Sequence, residues 1–139
     1  MAWNEYIPSS EITDKVTEKT VQFAKKFGGY LGTDDVTLTP RGETRKEKTK
    51  LTTNQLRKFF GEIKRQQLQG YNESRFVMIK PKLAYAVGRA ESKNKIVDFY
   101  KVISDAMGYV KNEAQFRNFV QIFEAIVAYH RAAEAKADI

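Results

Sequence analysis

The 139-residue chain has no cysteine, one histidine and three prolines, and no apolar run near the length of a membrane span. Without cysteine there can be no disulfide framework, no thiolate zinc site and no cysteine nucleophile, which is compatible with a reducing cytoplasm, the expected location. A single histidine, His130, excludes a histidine pair acting as ribonuclease acid and base unless a partner or second copy supplies the other. A Ser-His-Asp triad would need that same histidine beside a serine on a strained turn, and no Gly-x-Ser-x-Gly occurs. Asp34, Asp35 and Glu43 lack the spacing of a calcium loop, and no Gly-Lys-Ser/Thr follows Gly28, Gly29 or Gly32 to form a phosphate loop. The chain is therefore expected to have no catalytic residue, no metal site and no cofactor. The opening residues Met1–Tyr6 carry neither a basic region nor an apolar run, so the protein is expected to be soluble and unexported, with no membrane partner.

An apolar share of 42% and an aromatic share of 12% suit a folded protein, and the length suits a single domain spanning residues 1–139. The net charge of +7 is unevenly placed: residues 41–65 carry +6 and 75–95 carry +5, whereas 1–40 carry −2, 66–74 carry −1 and 96–139 carry −1. Such concentration is the electrostatic pattern of a polyanion binder. The plainer alternative is a solvated basic face without a partner.

Taken in order, residues 1–8 read as an arm whose Trp3 and Tyr6 are available to pack on the body. Ser9 or Ser10 caps a helix with Ile12, Val16, Phe23 and Phe27 on one face, and Gly28-Gly29 should stop or weaken it. Residues 32–50 show no helical stripe and read as a long, mobile basic loop. Thr52 and Gln55 form a capping box for a second helix with Leu56, Phe59, Phe60 and Ile63 on its apolar face, extended by Gln67. Gly70-Tyr71-Asn72 ends it. A third helix runs through Arg75–Arg89, kinked or newly started at Pro81, with Ile79, Leu83 and Val87 facing the core and Lys82, Tyr85 or Ala86, and Arg89 facing out. Ile96, Phe99, Tyr100, Ile103 and Met107 mark a fourth helix. Phe116, Phe119, Val120, Phe123, Ile126, Val127 and His130 mark a fifth from about Asn112, with a tail Ala132–Ala137 prone to fray. No strand-like alternation occurs. The predicted fold is an all-α, compact bundle of about five helices with a long basic loop between the first and second.

Helix-turn-helix, RNP-sheet and zinc-finger patterns are all missing, so backbone tracking rather than base reading is the nucleic-acid mode that the charges favour. Phe59, Phe60, Phe116, Phe119 and Phe123 could stack on bases, but their helical spacing on apolar faces reads as core, and His130 continues such a face.

Three stretches, Leu-Thr-Thr-Asn-Gln-Leu-Arg-Lys-Phe at 51–59, Lys-Pro-Lys-Leu-Ala-Tyr-Ala-Val-Gly-Arg at 80–89, and Phe-Arg-Asn-Phe-Val-Gln-Ile-Phe-Glu-Ala-Ile-Val-Ala-Tyr-His at 116–130, occur in this order. Together they resemble the small subunit of the type III-A CRISPR effector, the Csm complex, over roughly residues 48–131. The resemblance implies a non-catalytic helical subunit in antiviral defence, stacked in several copies beside the crRNA-bound backbone subunits. It would hold crRNA and target RNA through basic residues. RNA cleavage would belong to the backbone subunit, and the DNase and cyclic-oligoadenylate activities to the large subunit. Guide pairing would then supply sequence recognition and protein contacts the affinity.

Carried onto this sequence, the resemblance makes Arg57, Lys58, Lys80, Lys82 and Arg89 the first candidates for RNA contact, with Arg131 near the end of the match and Lys48 and Lys50 at its border. Arg41, Arg45 and Lys46 lie outside it as mobile basic contacts. Gln55 could donate to phosphate, although the capping box is the preferred reading. For each cation singly, a surface ion pair or plain solvation is the alternative. Two other function classes stand beside this one: a module docking acidic partner subunits without direct RNA contact, and a helical ribonuclease built around His130 and Glu124.

Overall fold

The computed structural model describes residues 8–136, and its longest element is also its centre. This helix, α7 (Glu113–Lys136), buries Phe116, Phe119, Val120, Phe123, Ile126, Val127 and His130, the seam that the spacing predicts. Asn112 starts it, its Oδ1 accepting from the Gln115 N–H at 2.9 Å. Against α7 pack α2 (Glu18–Leu31), most extensively, then α3 (Thr53–Gln69) and the single turn α1 (Ser9–Thr13). A second single turn, α4 (Glu73–Val77), leads into α5 (Ile79–Arg89), which lies against both α3 and α6 (Ile96–Met107). The chain is mostly helical, and the five longer helices correspond to the five predicted. Phenylalanine rings lock the elements together: Phe76 meets Phe116 and Phe119 edge-on at 5.4 and 5.2 Å, and Phe99 meets Phe123 at 5.9 Å. Each such burial contributes about 1.5–3 kcal/mol, so this row supplies much of the cohesion. Among the described residues, no helix is long and apolar enough to cross a membrane.

Several expectations need correction. The first predicted helix is two helices, because α1 ends at Thr13 and α2 begins at Glu18, with Thr20 Oγ1 accepting from the Thr17 N–H at 3.0 Å. Pro8, not Ser9 or Ser10, precedes α1, and no side chain caps it. The break is stabilised from outside, since Asn118 Nδ2 donates to the Ile12 and Asp14 carbonyls at 2.9 and 3.0 Å. The proposed arm with Trp3 and Tyr6 lies outside the described residues.

Gly28-Gly29 does not stop α2, which continues to Leu31. A β-carbon on Gly28 would sit 2.6 Å from the Ile126 carbonyl oxygen, and one on Gly32 would sit 2.5 Å from that of His130. These two glycines let α2 approach the α7 backbone, and the packing outweighs their weak helix propensity. Gln66, rather than Gln67, continues the buried face of α3. The third helix starts at Ile79, so Pro81 sits in its first turn, where no intrahelical N–H partner is lost.

Segment 32–50 contains two strands where none was expected. β1 (Val36–Leu38) pairs antiparallel with β2 (Thr44–Lys46), Val36 opposite Lys46. The turn is Thr39-Pro40-Arg41-Gly42: the Thr39 carbonyl accepts from the Gly42 N–H at 2.9 Å, and Gly42 takes a positive φ of 82°. All six strand residues are exposed, so no apolar alternation exists to be read.

The glycine positions give a paired expectation. Gly28→Ala should destabilise the fold by about 1–3 kcal/mol through forced overpacking. Gly29→Ala, whose β-carbon meets nothing within 4 Å, should stabilise it by about 0.5–1 kcal/mol. Urea unfolding of both variants beside the native chain reads the two opposite signs.

Candidate nucleic-acid interface

The placement of α3 begins with a hydrogen bond in the core. His130 is fully buried, and its Nε2–H donates to the Leu51 carbonyl. Leu51 is also tied to α2, its N–H donating to the Leu31 carbonyl at 2.8 Å. The next residue, Thr52, caps α3 in the predicted box: Thr52 N–H donates to Gln55 Oε1 at 2.8 Å and Gln55 N–H to Thr52 Oγ1 at 3.2 Å. Thr53 Oγ1 then donates to Glu134 on α7. So located, α3 runs antiparallel to α5, since Lys82 in the first half of α5 reaches Glu62 midway along α3, while the turn after α5 returns to the start of α3, where Asn94 Nδ2 donates to Gln55 Oε1 at 3.3 Å.

Between the two helices lies an open groove of about 840 Å³. Lys58 and Arg65 line it from α3, and Lys82 and Arg89 from α5, over a floor that includes Phe59, Ile79 and Ile96. Lys58 to Arg65 and Lys82 to Arg89 each span seven residues, about 10 Å of helix rise. All four cations are exposed. Tyr85 stands among them, 69% exposed, with the Arg89 guanidinium 5.7 Å from its ring centroid.

One carboxylate shares the groove. Glu62 accepts from Gln66 Nε2 at 3.0 Å and from Lys82 Nζ at 3.5 Å, and pairs with Arg65. The Gln66 hydrogen bond, with the charges of Lys82 and Arg65, holds its carboxyl below the usual 4.5 in spite of partial burial.

A second concavity, about 640 Å³, adjoins the end of α5 and is lined by Arg45, Lys46, Lys48 and Lys93, with Glu47 and Glu91 between them. Lys95 fastens the base of the hairpin beside it. Its buried Nζ donates to the Tyr30 and Thr33 carbonyls, pairs with Asp35 at 2.9 Å and lies 4.1 Å from the Tyr30 ring centroid. Tyr30 in turn donates to Asp98 at 2.6 Å, and its phenol is held above the usual range by burial first and by Asp98 second. On the other side of the hairpin base, Asp34 Oδ1 accepts from the Thr49 and Lys50 N–H groups at 3.0 and 2.9 Å.

Of the residues named from sequence, the structure brings Lys58, Lys82 and Arg89 into one groove and sets Lys48 in the adjoining concavity. Arg57 sits seven residues before Lys64, which pairs with Glu124 on α7, so it occupies the α7-side flank of α3. Lys80, two residues from Lys82, turns to the opposite side of α5, and neither Lys50 nor Arg131 lines either concavity. Arg65 and Glu62 were not singled out. Their signal was present, because Lys58, Glu62 and Arg65 fall at i, i+4 and i+7 on one helix face. Lys95 was counted with the surface charge although it is buried. His130 has no solvent exposure and Glu124 is paired with Lys64, so the two do not form an open acid–base site. Among the described residues, no group of three His, Asp or Glu could hold a metal ion.

Glu62 sets a pH dependence whose sign follows from its lowered pKa. Its stabilisation is present above the ordinary value of 4.5 and is lost as pH falls through the lower folded value. Glu62→Gln should therefore be less stable than the native chain at pH 7, with the gap closing in acid, as urea unfolding at pH 7 and pH 3 would read.

The family model described as Csm2 Type III-A matches residues 14–136 of the chain. No curated protein and no solved structure matches it.

Proposed function

The chain belongs to the Csm2 Type III-A family and so to the subunits of the type III-A CRISPR complex, and from that premise we propose that it is a non-catalytic subunit that holds RNA along the α3–α5 groove. The observation that carries this reading is the convergence of Lys58, Arg65, Lys82 and Arg89, from two separate charge-rich segments, onto one concave surface. Cations spaced along a groove suit a polymer of phosphates better than a small anion, which a few convergent donors would enclose. Arg45, Lys46, Lys48 and Lys93 extend the same positive surface beyond the end of α5. With lysine and arginine predominating, the contacts are to the RNA backbone and are independent of sequence, leaving recognition to the pairing of crRNA with target RNA.

In this reading the protein works in several copies stacked against one another and against the backbone and large subunits. A repeating stack requires a heterologous contact, since a two-fold contact would close on itself. Each copy then contributes one stretch of basic groove, so weak contacts add along the RNA.

Binding of the full chain to single-stranded guide RNA should be salt-sensitive, with log K falling against log salt by about 0.7 per phosphate contacted. Joint replacement of Lys58, Lys82 and Arg89 by alanine should lower that slope by about 2 and weaken binding in proportion. Fluorescence anisotropy across a salt series measures both quantities. An unchanged slope, together with co-purification of protein partners but no RNA, would favour docking of an acidic partner subunit instead.

A further inference from the structure

The phosphate contacts leave one feature of the groove without a role. Tyr85 is the most exposed aromatic among the described residues, at 69%, yet it stands beside an apolar floor that could have covered it. Its ring is not idle. The Arg89 guanidinium lies 5.7 Å from the centroid, one helical turn away, so an aromatic plane and a planar cation are already paired at the rim. A phosphate would use the phenol hydroxyl at most, and has no use for the ring face or for the apolar surface of Pro81, Ala86 and Ala90 that continues below it. A nucleobase uses both, because its face stacks on an aromatic ring or guanidinium whatever its identity.

We propose that Tyr85, backed by Arg89, is a stacking site for an unpaired RNA base, with Lys58 and Lys82 holding the phosphates on either side. The inference rests on the groove being the RNA-binding surface and adds a distinct ligand to it. Bases inside a duplex are already stacked on one another and cannot reach the ring, whereas a single strand or an extruded nucleotide can. The site is therefore selective for unpaired RNA while remaining indifferent to sequence.

The test compares the full chain with its Tyr85→Leu and Tyr85→Phe variants, using a single-stranded oligoribonucleotide and a fully paired RNA duplex of equal length. An oligonucleotide carrying 2-aminopurine reports stacking through quenching. The expected result is a loss of roughly tenfold in single-strand affinity for Tyr85→Leu, recovered by Tyr85→Phe. Duplex affinity should not change, nor should the salt slope for the single strand, since no phosphate contact is removed. Quenching should fall in the leucine variant alone. Because the side chain is exposed, both variants should retain the native helical circular dichroism. Equal loss on single strand and duplex, a reduced salt slope, or unaltered single-strand binding would each overturn the stacking site. The two readings separate cleanly: if the lysine and Arg89 replacements weaken binding while Tyr85→Leu leaves it intact, the groove stands and the base site falls.

Discussion

The hydrogen bond from His130 Nε2–H to the Leu51 carbonyl, sealed in the core, joins the two halves of the fold. It exists because Gly28 and Gly32 allow α2 to lie against the α7 backbone at Ile126 and His130. That approach brings the end of α2 to the same point, where the Leu31 carbonyl takes the Leu51 N–H. A buried carbonyl and a buried N–H are thus both satisfied at one residue, where leaving either unpaired would cost about 1–3 kcal/mol. Thr52 begins α3 immediately afterwards, so the helix inherits its position from this junction. The position of α3 then fixes which of its cations face α5. A core contact with no charge of its own in this way determines the layout of a charged surface.

Electrostatics within the groove are balanced rather than uniformly positive. Glu62 lies between Lys82 and Arg65, and both pairs involve cations more than half exposed at the side chain. Exposed pairs of this kind are worth about 0–1 kcal/mol, small enough for a phosphate to compete for the same cations. Glu62 itself is different, being largely covered and held by Gln66, whose Nε2 also donates to the Arg75 carbonyl. The carboxylate is a fixed part of the groove wall, while the cations paired with it remain largely in solvent. This internal counterion offsets part of the groove's positive charge, and a polyanion would displace it from the two cations at little cost.

What could be read from the residues divides by where the information lies. The helices with continuous apolar stripes, α3, α6 and α7, are visible because burial imposes a period of three to four on residues close in sequence. The Thr52–Gln55 cap is visible for the same reason, its two partners being three residues apart. The double glycine misled because a local penalty of about 1 kcal/mol per glycine was set against no knowledge of what faces it, and the facing element is α7, about a hundred residues away. The hairpin escaped notice because strands exposed on both faces have no core to alternate with, although Thr39-Pro40-Arg41-Gly42 did carry a turn signal. Charge counting found the two basic segments and missed their geometry. Lys58, Lys82 and Arg89 share a surface while Arg57 and Lys80 do not, and helix phase together with antiparallel docking separates them.

Lys95 shows how far charge alone can mislead and what the fold gains from the exception. In sequence it is one more cation in a basic run; in the structure its ammonium is withdrawn from solvent and satisfied by two carbonyls, a carboxylate and an aromatic face. A buried ammonium needs such a complete set of partners, because removing it from water without them is costly. All of those partners, Tyr30, Thr33 and Asp35, lie where α2 passes into the hairpin, while Lys95 itself precedes α6. The Lys95 N–H also donates to the Thr49 carbonyl at 2.9 Å, on the segment that leaves the hairpin after β2. One residue thus clamps both legs of the hairpin to the turn after α5. That turn carries Lys93, and the legs lead to Arg45, Lys46 and Lys48, so the clamp aligns the outer cations with the end of the groove. A lysine removed from the surface is in this way what gives the surface lysines a common direction.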